Sequence, residues 1–243
     1  MMKKTIELVK YQMTLFFRGS KFIMPLVIMA VFLYMMYSIK PTGIVDSFSI
    51  SGYLVFFIMV WISLLVSSSE DVVMEQIQLL RVQKSVYYYF SKVIFLMAVG
   101  LIVELICLIF PIVQNILNHN ELFLRQLTVY DLLNAFLLLG GCSFAGGSIG
   151  SLFHPRVLRD RKLAIVLTVL VTVLASIRTV LTQEVPILKA VLFIVPPLDR
   201  ISVVYGQTDV FQLHQTMVIF LWLVFYGIVF SMVKSVICYR RKF

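Results

Sequence analysis

The chain has 243 residues, 60% of them hydrophobic and 14% charged, with a mean hydropathy of +0.97 and a formal net charge of +9. Soluble domains carry about 45–50% apolar and roughly 25% charged residues, so this composition excludes a water-soluble globular fold and leaves no polar module for a nucleotide-binding or catalytic domain. Lysines and arginines fall between apolar runs rather than on one basic face, which points to membrane topology and excludes nucleic acid as a partner.

Residues 1–21 are expected to form an interfacial helix. Between Thr5 and Arg18, Ile6, Val9, Met13, Phe16 and Phe17 recur at helical spacing, with Glu7, Lys10, Thr14 and Arg18 on the other side. Such a helix lies along the membrane surface with its basic residues near anionic headgroups. The alternative is a simple extension of the first span. The first apolar run starts only at Phe22 and is followed by no small-residue cleavage site, so it is read as a retained helix.

A bilayer core about 30 Å thick needs about 20 apolar residues in a helix. Six runs meet or approach that length: 22–39, 48–68, 93–117, 132–153, 163–182 and 217–233. The stretch 185–198 is shorter, contains Lys189 and three prolines, and is expected to be an interfacial or re-entrant element within an outer loop, 183–214. With loops assigned alternately, sixteen of the 21 Lys and Arg fall on one side. Only Lys40, Arg125, Lys189 and Arg200 fall on the other, and Arg178 lies within a span. The positive-inside rule then puts both termini in the cytoplasm. The expected fold is an all-α membrane protein with six transmembrane helices, forming a single domain over 1–243.

The cytoplasmic connection 69–92 holds a second amphipathic helix. Ser67 to Ser69 offer caps, Glu70 and Asp71 suit the positive end of the helix dipole, and Val73, Ile77 and Leu80 form an apolar stripe opposite Glu75, Gln78 and Arg81. One apolar and one charged face suit docking in a groove on another protein, although a solvated loop helix has the same pattern.

Within the spans, Gly146 and Gly150 stand one turn apart, with Cys142 and Ser143 a turn earlier. They make a small-residue face for close helix packing, or alternatively a hinge. The glycine-rich run 139–151 has no lysine where a phosphate-binding loop needs one. Glu104 falls near the middle of the third span, where an ionised side chain costs a few kcal/mol unless paired, hydrated or protonated. It is expected to line a translocation cavity or to make a polar contact inside the bundle. Arg178 lies about one turn from the outer end of the fifth span and reaches the interface by snorkelling, or approaches Glu104 if the third and fifth spans are neighbours. Cys107, Cys142 and Cys238 have no disulfide or zinc spacing, and His119, His154 and His214 stand in separate loops, so no metal site is expected. No nucleophile elbow or HExxH pair occurs, and no catalytic site is expected on this chain.

An amphipathic first helix, two spans, a cytoplasmic segment bearing Glu70, Glu75, Leu79, Leu80, Val82 and then Ser91 and Lys92 at the mouth of the third span, and a proline-bearing apolar segment before the last span together resemble the ABC-2 type permease family of ATP-binding cassette exporters. The resemblance lies in the layout of nearly the whole chain rather than in a residue motif. It implies a half-transporter that pairs with a second permease, identical or different, and with cytoplasmic ATPase subunits that bind the ATP and magnesium. Glu70, Asp71, Glu75, Leu79, Leu80 and Arg81 would then belong to a coupling helix set against the ATPase, and the basic loop 154–162 would form a smaller second contact. The implied cargo is an amphipathic or hydrophobic molecule, a peptide in the first place, exported across the plasma membrane of a bacterial cell. The competing reading is a secondary transporter or channel driven by an ion gradient, with Glu104 as the coupling site.

Overall fold

The computed structural model describes residues 2–69, 72–82, 85–153, 157–158, 160–185, 187, 192–206 and 208–240. The described residues form nine helices and no strand: α1 (Met2–Arg18), α2 (Ile23–Met36), α3 (Ile44–Ser69), α4 (Val72–Val82), α5 (Ser85–Leu117), α6 (Val129–Leu152), α7 (Arg161–Glu184), α8 (Arg200–Tyr205) and α9 (Leu213–Arg240). Five of them, α3, α5, α6, α7 and α9, are long and apolar enough to cross a membrane.

The first predicted span differs from this pattern. Helix α2 has 14 residues, about 21 Å of rise, which is short of a hydrocarbon core on its own. It meets α1 at a bend of 75°, and the two pass the length and hydropathy test for a span only as a pair. Ser20, with φ 51°, lies in the break between them. The buried stripe of α1 is Leu8, Gln12 and Phe16, packed toward α5, while Ile6 and Phe17 remain exposed. This helix therefore turns its i, i+4, i+8 face to its own bundle, and of the expected apolar side, Ile6, Val9, Met13, Phe16 and Phe17, only Phe16 lies in that buried stripe.

Helix α6 is the hub. Its glycines, alanine, serines and cysteine let α3, α5, α7 and α9 pack around it, and one core of Phe48, Val55, Phe56, Met59, Phe95, Leu138, Leu139 and Leu223 runs through the bundle. At the end distant from α4, Thr128 caps α6 with Asp131 in a reciprocal capping box. Asp131 also takes both guanidinium nitrogens of Arg125, at 2.7 and 2.6 Å. Those hydrogen bonds raise the affinity of Arg125 for its proton above the ordinary guanidinium value, and its Nε donates to the Asp209 carbonyl at 3.1 Å, tying the segment before α6 to the one before α9. Thr42 pairs with the Leu122–Leu124 stretch at the same end.

Candidate functional site

Helix α4 has two unlike faces. Val73, Met74, Ile77 and Leu80 are exposed, Leu80 by 80% of its surface. The other face is fastened to the bundle, where the Glu75 carboxylate, 3% exposed, accepts a hydrogen bond from Lys92 Nζ of α5 at 3.4 Å. The same ammonium lies 4.7 Å from the ring centre of Tyr88, and Leu79 packs on a cluster of Leu8, Val82, Tyr88, Tyr89 and Cys238. One turn along, Gln12 of α1 donates to Ser91 Oγ at 3.2 Å. Helix α5 thus carries both α1 and α4 on its first turns.

Glu75 lies opposite the Val73, Ile77 and Leu80 stripe, as the sequence pattern expects, but that side is turned inward, because Lys92 needs a counter-charge where α5 leaves the bundle and Glu75 supplies it. Leu79 and Leu80 face different ways, Leu79 packing on the cluster and Leu80 exposed. Arg81 is exposed. Residues 85–92, read as part of the connection, are helical and continue into α5. Glu70 and Asp71 lie outside the described residues, as do Lys84, His154, Arg156, Arg159 and Lys189.

Glu104 is 4% exposed at the contact of α5 with α6. Its carboxyl fills the space left by Gly140, where a Cβ would stand 3.2 Å from Oε1. That oxygen has no hydrogen-bond partner among the described residues. Arg178 is not its neighbour. Helix α7 takes its main packing from α6 and α3 rather than from α5, and the Arg178 guanidinium instead donates to the Val195 carbonyl at 2.8 Å. Asp199 accepts the Thr179 amide beside it, so the two polar groups anchor the described part of the proline-bearing segment, 192–199, to the end of α7. Leu192, Val195 and Leu198 are buried there, while Phe193 and Ile194 face outward.

Gly146 and Gly150 lie against the backbone of α3. A Cβ on Gly146 would collide with the Phe56 carbonyl oxygen, and one on Gly150 with the Val60 carbonyl and, at 2.9 Å, with Ser63 Cβ. The close approach lets Ser63 Oγ donate across the interface to the Gly147 carbonyl at 2.7 Å.

A groove of about 720 Å³ between α3 and α7 has no counterpart in the sequence reading. Phe57, Trp61, Leu64, Val169 and Val173 line its length, and Ser67 to Ser69 with Arg161 line the end nearer α4. The signal for it was present in α7, where the buried residues are Ala164, Thr168, Thr172 and Ala175. Each threonine returns its hydroxyl proton to the carbonyl four residues back, so the helix offers a slim inward face that leaves space beside α3. No protein-family model, curated protein or solved structure matches this chain.

Proposed function

We propose that this chain is the membrane-spanning permease subunit of an ABC-2 type exporter, crossing the plasma membrane six times with both termini in the cytoplasm and driven by ATP bound with magnesium on a partner ATPase. The observation that carries the reading is α4. It is too short to cross a membrane, yet four large apolar side chains point away from the chain while its other face is held by the Glu75 and Lys92 ion pair and by Leu79. Burying such side chains in a partner groove contributes about 1.5–3 kcal/mol each, and a helix fixed on one face passes force instead of yielding to it. The groove between α3 and α7 supports an amphipathic or hydrophobic cargo, a peptide in the first place. A second permease would complete the pathway.

The experiment is to purify the tagged chain from its native membrane, with I77D and L80D variants beside it. The unaltered chain brings down an ATP-hydrolysing subunit. The variants lose it and lose export, and they keep the parent's thermal stability because both side chains are exposed in the chain alone. Unchanged recovery of the ATPase and unchanged export in both variants would refute the proposal. One observation favours the second reading, an ion-gradient transporter: the unpartnered Glu104 oxygen inside the bundle. Proton-coupled transport by the chain alone in liposomes, abolished by E104Q, would establish that reading instead.

A further inference from the structure

The groove between α3 and α7 runs halfway along both helices and stops. Its lining extends from Phe57 to Ser69 on α3 and from Arg161 to Val173 on α7. Phe57 and Val173 stand at the midpoints of Ile44–Ser69 and Arg161–Glu184, so the groove follows one half of each. That stretch is about 18 Å of helix, against about 15 Å for half of a bilayer's hydrocarbon core. The groove is therefore as deep as one leaflet. A partner helix that crossed the membrane would run past its end.

Its two ends are unlike. Toward the middle of the helices Phe57, Trp61, Val169 and Val173 offer apolar surface, and the Thr172 hydroxyl there donates to the Thr168 carbonyl at 2.6 Å. At the α4 end stands Arg161, the only charged side chain among the described residues that line the groove. It is exposed, and its guanidinium makes no ion pair or hydrogen bond among the described residues. The neighbouring carboxylate of Asp160 is turned to the Lys162 amide at 2.9 Å, where it caps α7. Ser68 and Ser69 donate to carbonyls of their own helix, whereas the Ser67 hydroxyl makes no hydrogen bond among the described residues. Phe57, Val169 and Val173 are 42, 51 and 46% exposed in the chain alone, so the groove opens sideways to lipid. An empty apolar groove forfeits dispersion contacts, and water inside it finds no partners. An acyl chain fills it and asks nothing polar of its walls.

We propose that the groove holds an anionic phospholipid of the leaflet on the α4 side. One acyl chain lies along Trp61 and Val169, and the phosphate sits on the Arg161 guanidinium and the Ser67 hydroxyl. The assignment needs α3 and α7 to cross a bilayer and does not rest on the permease reading; a cargo using the groove would enter by displacing this lipid.

The test uses W222F, which leaves Trp61 as the only tryptophan, reconstituted as the full chain into phosphatidylcholine vesicles. Contact with bromine quenches tryptophan fluorescence, so phosphatidylglycerol or phosphatidylcholine brominated along its acyl chain, added at equal fractions, reports which lipid reaches Trp61. The anionic lipid is expected to half-quench at about one fifth of the mole fraction the neutral lipid needs, the advantage that one basic side chain confers at an anionic headgroup. R161Q brings the two lipids level, and R161K keeps the anionic preference. V173F, which fills the groove from an exposed position, weakens quenching by both. Equal quenching by the two lipids in W222F would overturn the proposal, as would a preference kept in R161Q. Quenching untouched by V173F would place the contact outside the groove and count against it equally. No quenching by either lipid would show the groove covered by protein, a second copy included, and would overturn it too.

Discussion

Adjacent glycines in α6 make opposite predictions, and the geometry fixes the sign of each. In G146A the new methyl group would strike the Phe56 carbonyl oxygen, a backbone atom that cannot rotate aside. Restoring contact distance requires α3 and α6 to part by about 1 Å, which also stretches the 2.7 Å bond from Ser63 to the Gly147 carbonyl. Overpacking of this kind costs about 1–3 kcal/mol, against a gain of up to about 1 kcal/mol from replacing glycine by alanine inside a helix. With the full helical gain, the net loss is up to about 2 kcal/mol, a fall in Tm of up to about 6 °C for a chain of this size. At Gly147 a Cβ would meet Met59 Cε at 3.5 Å, ordinary contact, so G147A keeps only the helical gain and should be as stable as the parent or slightly more. G150A should resemble G146A. The double variant G146A/G150A should lose less than the two singles together, because helices parted for one methyl group already make room for the next. A dye that reacts with thiols reports the unfolding directly, since the thiols of Cys107, Cys142 and Cys238 are all buried. The packing argument fails if G146A melts at or above the temperature of G147A.

Three further outcomes follow from the polar contacts, all read by the same thiol assay. E75Q and K92M each break a buried ion pair and should cost up to about 3–5 kcal/mol, while E75M/K92M recovers most of that loss; strictly additive losses would contradict pairing. E104L removes a carboxyl group with an unpartnered oxygen at near-constant volume and should raise stability by about 1 kcal/mol or more, and a clear fall in Tm would reveal a polar partner for Glu104. D131A strips the α6 cap and strands the Arg125 guanidinium, so it should cost more than R125A, whose side chain is 30% exposed; the reverse order would refute the role of Asp131 as the centre of that network.

Much of the helical plan is legible from residue type alone. Apolar length placed the five long helices, and the break in charge and hydropathy after Ser69 placed α4 between two of them. What escaped is direction. A hydrophobic stripe announces that a helix has two faces without saying which is turned inward, and α4 buries Glu75 while it exposes Leu80 because Lys92, 17 residues later, demands a carboxylate. The same ambiguity hid Gln12 as an inward residue of α1, since its partner Ser91 is 79 positions away. Arg178 was read by depth in the bilayer, whereas its partner is a carbonyl in a segment with no periodic pattern. Cavities are harder still, because the α3 and α7 groove exists through what α7 lacks in bulk at Ala164, Thr168 and Thr172.

These contacts concentrate on one helix. α5 has 33 residues, a rod of about 50 Å if straight, and it carries Ser91 bonded to α1, Lys92 bonded to α4, and Glu104 against Gly140 of α6. Twelve residues separate Lys92 from Glu104, about 18 Å of helix with no proline or kink-forming Gly/Ser pair between them, the only glycine being Gly100. Pro111 enters the helix beyond Glu104, so any bend it introduces leaves the stretch from α4 to the buried carboxyl intact. Were α4 displaced, that stretch would carry the movement to the α5 and α6 contact, made first by Leu96 with Gly147, then by Gly100 with Ser143, and then by Glu104 with Gly140. Gly146 and Gly150, farther along α6, then make α3 the next helix to respond, because backbone already touches backbone there and a small shift of one helix cannot be absorbed by side chains.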